Sequence, residues 1–309
     1  MSENVKKVSL ADKIKFHKEN KGPGHLSTMR LRNRTTSGYI TTLIVLLLFS
    51  IVMVIPMLYI LCNSLKPLNE LWIFPPRFFP HNPTFKNFRD LFEVMNTSTV
   101  PFSRYIFNTA FISIVGTGAH VIAASLCAYV FARRRMWCKE GLFKTVQTAL
   151  MFVGGVTGIP SFIIMVGLGW IDTYYAYIIP AIGAPLGLYL MKQFMEQLVP
   201  VSVIEAARID GCGEFKILFR IVMPMVKSAW VTLIIFSFQG LWGAGGSSFI
   251  YDESLKTFNY AIQQIISVGI VRAGIGAAAQ VLLMMVPIIV FLISQSNVME
   301  TMATSGMKE

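Results

Sequence analysis

The segment richest in chemical information is Pro200-Val-Ser-Val-Ile-Glu-Ala-Ala-Arg-Ile-Asp-Gly-Cys-Gly-Glu-Phe-Lys-Ile-Leu-Phe-Arg-Ile-Val-Met-Pro224. Its residue types suit contact between surfaces, not bond making. Ser202 and Glu205 have the Ser-x-x-Glu spacing of a capping box, in which two free amide donors at a helix start are satisfied. Ala206, Ala207 and Arg208 favour helix, and Gly211 supplies a left-handed stop. Val203, Ile204 and Ala207 fall on one face, a small apolar surface expected to lie on lipid or in a partner's groove. A second helical stretch is expected from about Glu214 to Pro224.

Catalytic chemistry is not suggested elsewhere. No Gly-x-x-x-x-Gly-Lys-Ser/Thr occurs to cradle the phosphates of ATP, and no His-Glu-x-x-His occurs. His17, His25, His81 and His120 are scattered. Cys62, Cys127, Cys138 and Cys212 lack metal-ligand spacing and read as small apolar fillers. No two carboxylates share an apolar stretch, which argues against a proton-coupled relay. No enzyme activity and no cofactor is expected. His120, Gln147, Gln239 and Gln280 lie in or near apolar stretches and read as hydrogen-bonding links between helices.

The elements that must carry the loop are set by composition. Of 309 residues, 54% are hydrophobic and only 14% are charged, whereas a soluble domain carries roughly a quarter charged residues. Six long uncharged stretches stand out: Gly38 to Cys62, Tyr105 to Ala132, Thr145 to Ile171, Thr173 to Met191, Ser228 to Phe249 and Ala273 to Gln295. Each approaches or exceeds the ~20 residues that a helix needs to cross a bilayer, and helix is the form in which backbone groups stay satisfied there. The break between the third and fourth rests on Asp172 and the turn residues around Gly169. The expectation is an all-α integral membrane protein with six transmembrane helices.

The 27 basic and 16 acidic residues give a net charge of +11. Nucleic-acid binders are basic too, but their charge lies in patches beside an ordinary core. Here the basic residues sort by side, with 20 on the face holding both termini and 7 on the other, leaving none inside a stretch. The positive-inside rule makes both termini cytoplasmic. The first stretch follows 37 polar residues and does not read as a cleaved signal peptide. The division is a basic tail at 1–37, suited to anionic lipid, a six-helix body at 38–296 and a short tail at 297–309.

Glu205-Ala206-Ala207, Gly211 and Ile221-Val222-Met223-Pro224 match the spacing E-A-A-x3-G-x9-I-x-L-P, with Met223 for the usual Leu. The chain after its basic tail resembles the MalG-type carbohydrate permease subunits of binding-protein-dependent ABC importers. The segment Glu70 to Phe88 is similar to one that these sugar permeases carry after their first span, and the ending from Gln295 resembles the aldouronate and complex-oligosaccharide subgroup. The resemblance implies a type I importer permease fold in a bacterial plasma membrane. It implies a second homologous permease subunit, cytoplasmic ATPase subunits, an extracellular solute-binding protein and an oligosaccharide substrate. The loop at 200–224 would then hold a coupling helix docked on the ATPase, with Glu205, Ala206, Ala207, Asp210, Gly211 and Pro224 as its key residues. The alternative is a stand-alone secondary carrier or channel for a polar solute.

A sugar path needs polar groups and aromatic platforms without strong charge. Gly155, Thr157, Tyr174, Gln239 and Trp242 are its candidates; an interfacial aromatic belt is the competing reading for Trp72, Trp170 and Trp242. Pro56, the run Gly154 to Pro160, Pro180 and Pro185 interrupt helices, and broken backbone at membrane depth marks a cavity or hinge. The outer loop at 63–104 is too long to be structureless and is expected to hold one or two interfacial helices.

Overall fold

The computed structural model describes residues 36–96, 100–134, 136–152, 154–245, 249–267, 269 and 272–305. The basic tail before residue 36, Gly246 and the last four residues lie outside these. The elements described are helical. Helix α1 (Thr36–Leu65) is apolar all round and carries Pro56; such a helix has no face to offer water. Its portion through Leu58 belongs to one compact unit, and Tyr59 to the C-terminus forms the other.

The second unit opens with two short helices in the 63–104 loop, α2 (Leu68–Leu71) and α3 (Lys86–Asn96). Asn87, Leu91 and Met95 recur at i, i+4 and i+8 of α3 and are buried, while Arg89 and Glu93 pair on its exposed side at 3.5 Å. Asn87 fixes the helix by donating its amide to the carbonyls of Ser64 (2.8 Å) and Lys66 (2.7 Å). The expected helices of this loop are therefore present.

Helix α4 (Phe102–Arg133), 32 residues long, is central. Its buried face includes Asn108, Thr109, Ser113, Gly116, Thr117, His120, Ala124, Ser125 and Ala128 together with the larger Tyr105, Ile112, Val121 and Tyr129, whereas Phe107, Ile114, Val115 and Ile122 are exposed. A buried face rich in small and polar groups beside exposed large apolar ones suits a helix surrounded by lipid. Helix α5 (Lys139–Ala149) and α6 (Gly154–Gly167) follow, then α7 (Tyr175–Ile182) and α8 (Pro185–Leu198). Next come α9 (Val201–Ile209), α10 (Glu214–Met225, with a π-helical turn at Leu218–Val222) and α11 (Lys227–Trp242). Helices α12 (Phe258–Ser267) and α13 (Ala273–Ser305) complete the chain. Helix α4 packs along α7, α8 and α11, and α13 packs on α11, α12 and α3.

Four elements are long and apolar enough to cross a membrane: 38–65, 102–133, 175–198 and 273–295. Glu214–Met225 with Lys227–Trp242 makes a fifth if counted as one, bent by 85°. Six continuous spans are thus not what the described residues give. The expected third span divides into α5 and α6, and α6 has 14 residues, about 21 Å of helix against a ~30 Å hydrocarbon core. Glycines 154 and 155 open that helix and Pro160 sits within it. The turn expected at Asp172 is real, with positive φ at Gly169 (67°) and Asp172 (56°).

Two further expectations change. Helix α8 runs beyond Met191, so Lys192 is inside an apolar span and is buried, against the expectation that none would be. Its ammonium is held by Glu196 at 2.8 Å and lies 4.1 Å from the centroid of the Phe143 ring, which replaces the lost water. Trp242 is buried, stacks on Phe238 and donates to the Leu283 carbonyl at 2.9 Å, and Trp170 is half-buried, so of the three only Trp72 is exposed as a belt requires. Cys127 and Cys138 are exposed, not filling space in a core.

Candidate functional site

The 200–224 loop is built from both sides of a left-handed turn. Pro200, extended at ψ 142°, sets the entry, and α9 begins at Val201 with no side-chain cap. The capping box is therefore not formed: Ser202 already lies inside the first turn, and Glu205 is beyond reach of the helix start. The exit matches the sequence expectation. Gly211 has φ 76°, the Gly211 amide donates to Arg208 at 3.0 Å and the Cys212 amide to Ala207 at 2.9 Å. These are the paired bonds of a Schellman stop, with Asp210 at the C-cap.

The face of α9 that was expected to point outward points inward. Ile204 and Ala207 are 1% and 6% exposed and pack with Met195, Leu218 and Val222 in the protein's own core. Val203 is half-buried; Val201, Ser202, Glu205, Ala206 and Ile209 are exposed, Ile209 at 86%. A nine-residue helix beside a continuous core buries its most apolar stripe first, and the remaining stripe is the one available to a partner.

A carboxylate organises the other side of the turn. Glu214 opens α10, and its Oε1 accepts from Arg134 Nη2 at 2.8 Å and from Arg208 Nε at 3.0 Å. Its Oε2 accepts from the Tyr129 hydroxyl at 2.6 Å. Arg133 turns the other way: Nη2 donates to the Met195 carbonyl at 2.6 Å and also to that of Val199. Further on, Pro224 is exposed in α10, and Trp230 Nε1 donates to the Met223 carbonyl at 3.1 Å across the bend into α11. Arg133, Arg134, Tyr129 and Glu214 did not stand out in the sequence. The available signal was a run of three arginines, Arg133 to Arg135, after an apolar stretch and a Glu directly after Gly211-Cys-Gly213.

The path candidates are spread over several elements with separate engagements. Tyr174 donates its hydroxyl to Asn108 Oδ1 at 2.8 Å, and Trp242 is committed to Leu283. Gln239 is exposed on α11; Thr157 is exposed on α6, in whose first turn Gly155 lies. His120 does act as a link between helices. Ser237 lies 3.0 Å from its Nδ1 and the Ala184 carbonyl 3.3 Å from its Nε2. Ala184 lies at the α7–α8 break, where a carbonyl loses its helical partner.

At the end of the molecule away from the 200–224 loop, α4 is tied to the 249–257 segment. Buried Asn108 donates to the carbonyls of Ser254 (2.8 Å) and Lys256 (2.9 Å), and Tyr105 donates to Glu253 at 2.9 Å. Asp172 Oδ1 accepts from the amides of Tyr251 (2.6 Å) and Asp252 (2.8 Å). Among the described residues no group of three or more His, Cys, Asp or Glu side chains is arranged to hold a metal ion.

No protein-family model matches the sequence. The chain is 31% identical over 204 residues to protein LplC of Bacillus subtilis, an alignment covering 66% of each protein. It is 27% identical over 225 residues to the polygalacturonan/rhamnogalacturonan transport system permease protein YtcP of Bacillus subtilis, covering 72% of this chain and 76% of that one. With the melibiose/raffinose/stachyose import permease protein MelC of Bacillus subtilis it shares 26% identity over 261 residues, covering 82% and 91%. In fold it is similar to a chain of a bacterial ABC transporter that imports the acidic polysaccharide alginate. The TM-score is 0.72 at 20% identity, over 85% of this chain and 98% of the other. The matches span from about two thirds to about nine tenths of the relatives' lengths. With that fold, apolar helices that suit a multi-pass membrane protein, and these relatives, the chain belongs to the permease subunits of ABC sugar transporters.

Proposed function

We propose that this chain is one half of a paired permease that passes an oligosaccharide inward by alternating access. It would be driven by ATPase subunits and fed by a solute-binding protein. Both termini and the 200–224 loop lie on the cytoplasmic side, on the strength of the basic-residue count. In this reading α5 and α6 with the break between them make the third of six crossings. Irregular backbone at that depth then borders protein or a watery path, with Gly155, Thr157, Tyr174, Gln239 and Trp242 as its candidate surroundings. The oligosaccharide assignment is supported by relatives named for polygalacturonan/rhamnogalacturonan transport and for melibiose/raffinose/stachyose import.

The observation that carries the coupling proposal is the exposed stripe of α9. Val201, Ser202, Glu205, Ala206 and Ile209 stand outward on a helix whose opposite stripe is locked in the core and whose end is fixed by Gly211. A short, rigidly seated helix whose exposed stripe mixes small and apolar residues with one carboxylate suits insertion into a partner's cleft. Glu205→Arg and Ile209→Asp change only that stripe. The expected result is loss of the ATPase subunit from the purified complex while the second permease chain stays bound. Retention of the ATPase subunit by both variants contradicts docking at α9.

A further inference from the structure

Arg133 and Arg134 count in the sequence only as charges that set orientation, yet they grip opposite ends of the same loop. Arg133 holds the carbonyls of Met195 and Val199, just before the loop enters α9 at Pro200. Arg134 holds Glu214, just after the Gly211-Cys-Gly213 exit, and shares that carboxylate with Arg208 from the last turn of α9. Tyr129, one turn earlier on α4, donates to the second carboxylate oxygen. Both flanks of α9 are thereby fastened to a single helix end.

We infer that Arg133 and Arg134 are positioning residues that make α9 and the end of α4 move as one body, so that α4 carries the displacement of the loop across the membrane. The inference rests on the docking of α9 proposed above. Left to its backbone, α9 would pivot: Pro200 and Gly213 are extended hinges at either side, with ψ of 142° and 154°. A single ion pair at half-exposed side chains would not stop this, because such pairs are weak and mobile. Here three donors converge on one carboxylate from two elements, and a guanidinium on the neighbouring residue binds backbone carbonyls of a third. Three charge-assisted bonds meeting on the two oxygens of one carboxylate from different directions hold its orientation as well as its distance. The other end of α4 is fixed as firmly, through Asn108, Tyr105 and Thr109 to the 253–258 segment. A 32-residue helix pinned at both ends is suited to transmit a displacement without dissipating it.

The test uses the whole complex purified from membranes, with the four native cysteines replaced by serine and spin labels at Val203→Cys, half-buried on α9 beside the proposed docking stripe, and at Val130→Cys, exposed on α4. The probe is the non-hydrolysable nucleotide AMP-PNP. With both arginines present, the distance between the labels is expected to keep its mean and width when the nucleotide binds. In Arg133→Gln/Arg134→Gln the distribution should broaden about two-fold and shift with nucleotide, while the ATPase subunit still co-purifies. Tyr129→Phe removes one hydroxyl bond only and should broaden it less, which keeps the test open if the double variant fails to fold. A narrow, nucleotide-independent distribution in the variants overturns the inference, as does a nucleotide-dependent distance in the unaltered chain. Loss of the ATPase subunit from the double variant also overturns it, by assigning the arginines to docking. Failure of the docking proposal shows separately, as an unaltered chain that purifies with no ATPase subunit.

Discussion

Single residues fix the turns on which the loop depends. Gly211 is the sharpest case: at φ 76° a β-branched side chain is strained by about 1–3 kcal/mol. Gly211→Val should leave membrane insertion intact and depress transport-stimulated ATP hydrolysis in the assembled complex; unchanged stimulation removes Gly211 from the coupling account. Gly187 has a different role, because a Cβ there would meet the His120 ring, itself held between Ser237 and Ala184. Gly187→Ala should lower stability by about 1–3 kcal/mol through overpacking, read as a fall in the thermal midpoint in detergent. Gly211 was legible because the stop it makes is local. The linking role of His120 was legible too, but its contact with Gly187 was not, because it joins two helices at positions 67 apart in sequence.

Glu70 offers a pH-dependent readout at the same scale. The backbone amide of His81, with that of Asn82, donates to its carboxylate at 2.9 and 2.8 Å and holds its pKa below the usual carboxylate range. A carboxyl whose folded pKa is depressed stabilises the fold above its unfolded value and loses that contribution as pH falls through the folded one. Amide-exchange protection at His81 and Asn82 should therefore hold from neutral pH down to the ordinary carboxylate range and decline below it. Glu70→Gln should show the reduced protection at every pH. Equal protection in both chains throughout the range contradicts the assignment.

At the scale of elements, the long apolar stretches of α1, α4 and α13 were readable because length and lack of charge are local properties. Breaks within an apolar run were read only in part: helices do start anew at Gly154 and at Pro185, but Pro56, Pro160 and Pro180, expected to interrupt helices, lie inside continuous ones. The 85° turn between α10 and α11, at Val226, was not foreseen. The inward face of α9 was misjudged because three apolar residues on a short helix do not say which neighbour they meet. The six-crossing topology has a direct check on α5 and α6. A membrane-impermeant maleimide should label Cys138 from the cytoplasmic side only and an Asp172→Cys variant from the outside only. Labelling of both from one side contradicts a crossing between them. On α4, Asn108→Ala would remove the amide from two half-buried carbonyls, at about 1–3 kcal/mol in all. Proteolysis of the 249–257 segment should accelerate accordingly.

For the whole molecule, the imbalance of 27 basic against 16 acidic residues looked like an orientation signal and nothing more. Several of those charges are structural: Lys192 is paired inside a span, and Arg133 and Arg134 bind the flanks of α9. Charge counting reads sidedness because the sum is insensitive to geometry, and it misses such roles for the same reason. The family was legible in the spacing from Glu205 to Pro224, and the relatives and the shared fold agree with it. The central claim, a permease half that works only with partners, is tested most directly by gentle purification of the tagged chain from its native membrane and identification of what accompanies it. The account predicts an ATPase subunit and a second homologous permease chain in fixed ratio. A chain that purifies alone and transports a sugar in liposomes without ATP would contradict it.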